Sequence, residues 1–173
     1  MKEQNFSIIR FISLGFLSFF GTGYFPKAPG TMGSLATIPL ILGFNYFNVS
    51  LINTLIFTAI LFIIACFVAD YIQKKENVQD PGWIVIDEVI GMLITWLFIF
   101  PKVDPINLFL VFVFFRFFDI VKIYPANWCD KNIKSGMGTI IDDVVSALYA
   151  GLLVWMINYF YPIQQIIYNF SQL

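Results

Sequence analysis

Two acidic pairs, Asp87-Glu88 and Asp142-Asp143, each open an apolar run in a chain of 173 residues. Between them lie Arg116, Asp119 and Lys122, three residues apart, with Asp130 downstream. On a helix that spacing puts all three near one face. The stretch 116–143, RFFDIVKIYPANWCDKNIKSGMGTIIDD, carries four cationic and four anionic side chains in an otherwise greasy chain. Carboxylates gathered in an apolar setting repel one another unless a cation sits among them. Hard oxygen ligands suit Mg2+ or Mn2+, and Mg2+ commonly shares one or two carboxylates with a substrate phosphate. Asp87, Glu88, Asp142 and Asp143 are therefore the expected metal ligands. Arg116 and Lys122, beside Asp119, suit phosphate oxygens. The expected catalytic set is Asp87, Glu88, Arg116, Asp119, Lys122, Asp142 and Asp143. Taken singly, each acidic pair could instead do no more than complement a helix dipole.

A second motif is GTGYFPKAPGTMGS at 21–34, rich in glycine and proline and read as irregular. Its glycines would let backbone N–H groups approach an anion, with hydroxyls of Thr31 and Ser34 near a helix start. Lys27, Gly30, Thr31 and Ser34 thus join Arg116 and Lys122 as expected phosphate contacts. The Lys-Ser/Thr that ends a Walker A loop is missing. There is also an internal echo: IDEVIGML at 86–93 and IDDVVSAL at 141–148 share an acidic pair followed by small residues. Gly91, Ser146, Ala147 and Gly151 would let two helices approach closely and bring four carboxylates together.

The elements that must position these groups are read from composition. The chain is 59% hydrophobic and 19% aromatic, with mean hydropathy +0.80. Soluble domains average about 45–50% apolar, so an all-α, multi-span membrane bundle of one domain (1–173) is expected. There is no histidine, which removes histidine bases, phosphohistidine intermediates and histidine metal sites. A net charge of −1 offers no field for nucleic acid. Cys66 sits in an apolar run and Cys129 in a polar loop, so no disulfide is expected. The N-terminus lacks the small-residue cleavage site of a removed signal peptide.

Residues 6–20 read as a helix lying at the membrane surface. Apolar runs follow at 35–49, 51–69, 89–100, 106–118 and 144–161, broken by NVS, KKENVQDPG and PKVDP. If the runs alternate, nine of ten cations fall on one side and only Lys102 on the other. That bias marks the cytoplasmic side, and ten of eleven acids, all but Asp104, share it. Two runs are short: twelve residues separate Glu88 from Pro101, and eleven separate Asp104 from Arg116. Neither crosses ~30 Å of hydrocarbon at ~1.5 Å per residue. The expectation is a polar pocket sunk into the cytoplasmic end of the bundle. Asp80 reads as a turn residue, and Trp83, Trp96, Trp128 and Trp155 as anchors or packing.

Four motifs in order, PGTMGSL, DPGWIVIDEVIGM at 80–92, FRFFDIVKIYPANWCDKN at 115–132 and GMGTIIDD, carry a family likeness. Over about 20–155 the chain resembles the phosphatidylglycerophosphatase A family. The resemblance implies a membrane-bound enzyme, and soluble relatives in that family carry the same motifs on a compact helical bundle; with the charge bias, the active site is expected on the cytoplasmic side of a bacterial inner membrane. The resemblance also implies Mg2+-dependent removal of the terminal phosphate from phosphatidylglycerophosphate. Its acidic motifs fall on Asp87, Glu88, Asp142 and Asp143, its basic-acidic motif on Arg116, Asp119, Lys122 and Asp130, and its loop on Gly30, Thr31 and Ser34. The nucleophile is either water deprotonated by a carboxylate or an aspartate that becomes phosphorylated; the lack of a strand-borne nucleophile loop favours water. Other readings are a phosphatase of a related lipid such as phosphatidate, a divalent-cation transporter, or a lipid-binding module without turnover.

Overall fold

Breaks in the apolar pattern end and begin helices. The computed structural model describes residues 8–161, and every regular element among them is helical. In chain order these are α1 (Ile8–Leu17), a 3-10 turn (Thr22–Tyr24), α2 (Pro29–Tyr46), α3 (Leu51–Glu76), α4 (Ile86–Leu97), α5 (Pro105–Val121), α6 (Ala126–Asn132) and α7 (Gly136–Phe160). Local chemistry sets several of these starts. The Ser50 side chain accepts from the Asn53 backbone N–H at 3.3 Å and begins α3. Asp104 does the same for Asn107 at 3.0 Å and begins α5, with Pro105 at the first helical position.

Two sequence readings are corrected here. The segment 21–34 is not irregular throughout: Pro29 opens α2, so Gly30, Thr31 and Ser34 lie in its first turns. Gly136-Met137-Gly138 forms the first turn of α7. Residues 126–132 form α6, and this places Cys129 buried on a helix instead of in a polar loop. Of the expected 6–20 helix, 8–17 form α1 and residues 6 and 7 lie outside the described residues, whereas every candidate site residue lies within them. Lys2 and Glu3, which entered the charge count, lie outside them.

Long helices run alternately up and down, so α4 and α7 run parallel and both begin at the same end. They pack extensively on each other, and α7 also packs on α3, α5 and α6. The core between them holds Trp96, Phe115, Ile90, Met92 and Leu93, all fully buried. Two of the core glycines make room for aromatic rings. A Cβ on Gly91 would strike the Phe115 ring, and one on Gly151 would strike Phe98. Where α4 and α7 do approach closely, Ala147 and Ser146 are buried and Thr95 Oγ1 donates to the Ala147 carbonyl at 3.4 Å.

Length and composition qualify two described helices to cross a bilayer: α3 with 26 residues and α7 with 25. At ~1.5 Å per residue each exceeds the ~30 Å hydrocarbon thickness. The outer face of α3 is apolar and exposed at Ile52, Ile56, Ile60 and Phe67. On α1, Ile8, Ile9, Phe11 and Ile12 are likewise exposed, while Arg10 pairs with Glu76 of α3 at 2.7 Å.

The far end of the bundle is closed by a polar chain. Lys102 Nζ donates to Asn158 Oδ1 at 2.8 Å, Asn158 Nδ2 to Asn107 Oδ1 at 2.6 Å, and Asn107 Nδ2 to Asp104 Oδ2 at 2.6 Å. Trp96 Nε1 adds a bond to the Lys102 carbonyl at 2.9 Å. This ties the α4–α5 connection to the end of α7.

Replacing Gly91 with Leu is expected to destabilise the bundle by about 1–3 kcal/mol, because the Phe115 ring has no room to retreat. Thermal unfolding in detergent checks this; an unchanged midpoint would show that the ring yields freely.

Candidate active site

Three helix ends meet at the near end of the bundle: the starts of α4 and α7 and the end of α5. Asp87 and Glu88 occupy the first turn of α4. Asp143 lies two turns into α7, on the buried face with Asp142. One carboxylate oxygen each from Asp87, Glu88 and Asp143 lies within 4.8 Å of the others. Asp119 of α5 also comes within interaction range of Asp143.

Arg116 stands beside this cluster. Its Nη1 lies 2.6 Å from Asp119 Oδ2 and 3.6 Å from Glu88 Oε1. Both sit poorly for hydrogen bonding, so Nη1 and Nε remain buried without a hydrogen-bond partner. Glu88 Oε2 and Asp142 Oδ1 are in the same condition. Buried polar atoms are normally satisfied. Two open donors on Arg116 beside an open acceptor on Glu88 describe a site shaped for something that brings both negative oxygen and positive charge.

Asp142 turns away from the acidic trio. Lys122 Nζ donates to Asp142 Oδ2 at 2.6 Å and to Asp130 Oδ1 at 3.0 Å. Burial works against the Lys122 charge, but the Asp142 and Asp130 carboxylates outweigh it and hold the ammonium well above the ordinary lysine range. The helix-face reading is corrected in this respect. Arg116 and Asp119 do share a face of α5, but Lys122 lies just past its end. There its backbone is left-handed (φ 46), which redirects the side chain toward α6 and α7. A non-glycine residue held there costs on the order of 1 kcal/mol, so the Lys122 ion pairs offset a local strain.

The start of α2 completes the wall. A Cβ on Gly30 would collide with Glu88 Oε1 and press on Arg116 Nη1. Any side chain there would displace the tips of Glu88 and Arg116, because the α2 backbone passes directly against the acid–arginine pair. Ser34 is buried, and its hydroxyl donates to the Gly30 carbonyl at 2.9 Å, so that proton is not available to an anion. Thr31 is half-buried, and Lys27 is exposed on the loop before α2. The structure thus gathers Asp87, Glu88, Arg116, Asp119, Asp143 and Gly30, joins Lys122 to Asp142 and Asp130, and leaves Lys27 outside.

Two participants were under-read in the sequence. Asp80 is a turn residue, as its place before Pro81 suggests, though its backbone is left-handed (φ 43), and it also lines a small cavity with Asp130 and Thr139. Gln73 of α3 is buried and donates to Thr139 Oγ1 at 2.8 Å, fixing the first turns of α7 to α3. A glutamine at the polar end of an apolar helix carries no motif signal.

The chain as a whole is similar to known proteins. The profile of the family described as Phosphatidylglycerophosphatase A matches residues 15–158. This chain belongs to that family. A Haemophilus influenzae protein named Phosphatidylglycerophosphatase A is 38% identical over 141 residues, which is 81% of this chain and 85% of the relative. An Escherichia coli protein of the same name is 36% identical over 144 residues, covering 83% and 82%. A Bacteroides thetaiotaomicron protein, provisionally named phosphatidylinositol-3-phosphatase, is 32% identical over 148 residues, covering 80% and 91%. No solved structure matches. Family membership makes the chain a phosphatase, and the acid–arginine end is its candidate active site.

Gly30→Ala is expected to leave the helical content intact and lower phosphatase kcat/KM on the order of 100-fold, by shifting Glu88 and Arg116. Circular dichroism and phosphate release check the two halves; wild-type turnover would show that the α2 start does not set the geometry.

Proposed function

We propose that this chain hydrolyses the terminal phosphate of phosphatidylglycerophosphate to phosphatidylglycerol and phosphate, a step of phospholipid synthesis, at the cytoplasmic face of a bacterial inner membrane and with Mg2+. One observation carries the reading: Asp87, Glu88 and Asp143 are packed within 4.8 Å beside an Arg116 whose donors are unsatisfied. The names of the Haemophilus and Escherichia relatives supply the substrate. Apolar, exposed surfaces on α1 and α3 supply the membrane.

The donor set fits a hard divalent ion. It is all carboxylate oxygen, with Asp87 and Asp143 buried, Glu88 half-buried and Glu88 Oε2 unpartnered. Asp87, Glu88 and Asp143 would hold the ion, and Asp142 is the adjoining acid. When bound, Mg2+ supplies positive charge that offsets the acids' mutual repulsion and polarises the phosphoryl group.

The chain's own residues divide the remaining work. Arg116 is steadied by Asp119 and Glu88 and directs Nε and Nη1 to phosphate oxygens, where charge builds in the transition state. The first turn of α2 adds unsatisfied backbone N–H groups at Gly30. Lys122 fixes Asp142 Oδ2, which leaves Oδ1 to accept a proton from the attacking water. As the new P–O bond forms and the bond to the lipid glycerol oxygen breaks, that proton returns to the departing oxygen. Below the acids, Ile90, Leu93, Trp96 and Phe115 close the core, which favours a hydrolase over a conduit to the far face.

A second reading is hydrolysis of another lipid phosphate, favoured by the name of the Bacteroides relative. A panel of phosphatidylglycerophosphate, phosphatidate and phosphatidylinositol 3-phosphate, assayed for released phosphate, separates the two.

Purified protein is expected to lose turnover in EDTA and regain it with Mg2+; undiminished activity in metal-free buffer would defeat the ion assignment. Arg116→Lys should cost on the order of 100-fold in kcat, since a point charge cannot replace the planar fork. An unaltered kcat would make Arg116 a structural partner of Asp119 only.

A further inference from the structure

The lipid's route to the acids is a separate question from the chemistry, and one side of the bundle answers it. A groove of about 490 Å³ lies between α3 and the start of α7. Its walls are Phe62, Ile63, Cys66, Phe67 and Met137, and its lower end is polar at Asp70 and Ser135. At its polar end the two helices touch: a Cβ on Gly136 would strike the α3 backbone at Cys66 and Asp70. From residue 62 to residue 70 α3 rises roughly 12 Å, close to the ~15 Å hydrocarbon depth of one leaflet.

The groove does not end blindly. Asp70 and Ser135 are shared with a second, polar cavity of about 260 Å³, lined also by Gln73, Lys74, Gln79 and Lys134. Gln79 and Ser135 are shared in turn with the small cavity that holds Asp80 and Asp130. Asp130 pairs with Lys122, and Lys122 with Asp142. An apolar slot, a polar mouth that carries Lys134 and the edge of the candidate active site therefore adjoin one another in series. Lys74 is held by Asp70 at 2.6 Å, whereas Lys134 is exposed with no carboxylate within ion-pair distance among the described residues. The last step is narrow, about 10 Å³, so headgroup passage requires the 133–135 connection to give way.

We propose that the groove between α3 and α7 seats an acyl chain of the phospholipid substrate, with the anionic headgroup entering past Lys134 and Ser135 toward Lys122. The occupant is a lipid and not a second protein, because the slot is close to one leaflet deep, opens on the exposed apolar face of α3, and leads to Lys134, a cation with no carboxylate partner among the described residues that can meet a phosphate. The proposal rests on the lipid phosphatase reading above and deepens it by naming the binding surface.

Ile63→Trp fills the slot from its exposed rim without touching the core. Turnover is measured on dioleoyl phosphatidylglycerophosphate in vesicles and on its water-soluble dihexanoyl analogue. The variant is expected to raise the long-chain to short-chain KM ratio about tenfold, the loss of burying roughly two methylenes. An unchanged ratio overturns the proposal, and so does a change in the particle mass in detergent, which would make the slot a contact between copies. A second readout needs no turnover: a dioleoyl analogue with a diazirine on one acyl chain, cross-linked and mapped by mass spectrometry. Label concentrated on 62–67 and Met137 supports the groove. Label spread equally over Ile52, Ile56 and Ile60 refutes it. Failure of wild-type turnover on both substrates, with label still in the groove, would instead sink the catalytic reading.

Discussion

Like charges forced together out of water set the terms for this bundle. Two unit charges ~4 Å apart repel by about 4 kcal/mol at the effective dielectric of a protein surface. Asp87, Glu88 and Asp143 lie within 4.8 Å of one another, and Asp119 and Asp142 lie close by. Such a cluster is tolerable only at an end of the bundle, where cations can be delivered to it. The helix directions deliver them: α4 and α7 start there, α5 ends there with Arg116 and Lys122, and the start of α2 closes over the arginine. The two protein cations are spent differently. Lys122 neutralises Asp142 and Asp130 with short, direct bonds. Arg116 is held near its acids but left with open donors, the state expected of a group that waits for an anion.

The remainder of the fold keeps that arrangement from relaxing. Gly91 and Gly151 accept the rings of Phe115 and Phe98. Gly30 and Gly136 let α2 and α3 press against the site and against the first turn of α7. Gln73 holds Thr139 on the near side, and the Lys102–Asn158–Asn107–Asp104 chain holds the opposite end of α7. The helix carrying Asp142 and Asp143 is thus fixed at both ends. A shift of one turn to relieve repulsion would break both polar anchors.

Much of the site was legible as residue types. Paired acids at helix openings, a basic-acidic trio and a chain without histidine narrow the chemistry to oxygen ligands and phosphate. The roles within the trio were not legible. Arg116, Asp119 and Lys122 have identical spacing, but a helix face extends only as far as the helix, and α5 stops just before Lys122. The glycine-rich segment likewise reads as a loop by composition. Pro29 at a first helical position reverses that, because its fixed φ and missing N–H suit a helix start. Asp142 and Asp143 are adjacent, yet neighbours on a helix point about 100° apart, so one joins the acids and the other meets Lys122.

The sequence by itself determined the helical class, the apolar runs, the end of the bundle that holds the charge, and the family motifs, because these follow from composition and local periodicity. Tertiary structure alone decided which carboxylates share a point in space, which cation is satisfied and which is left open, and where a slot opens between α3 and α7. Those outcomes depend on how far each helix runs and on whether a Cβ fits between two backbones, and neither is written in the spacing of a single chain segment.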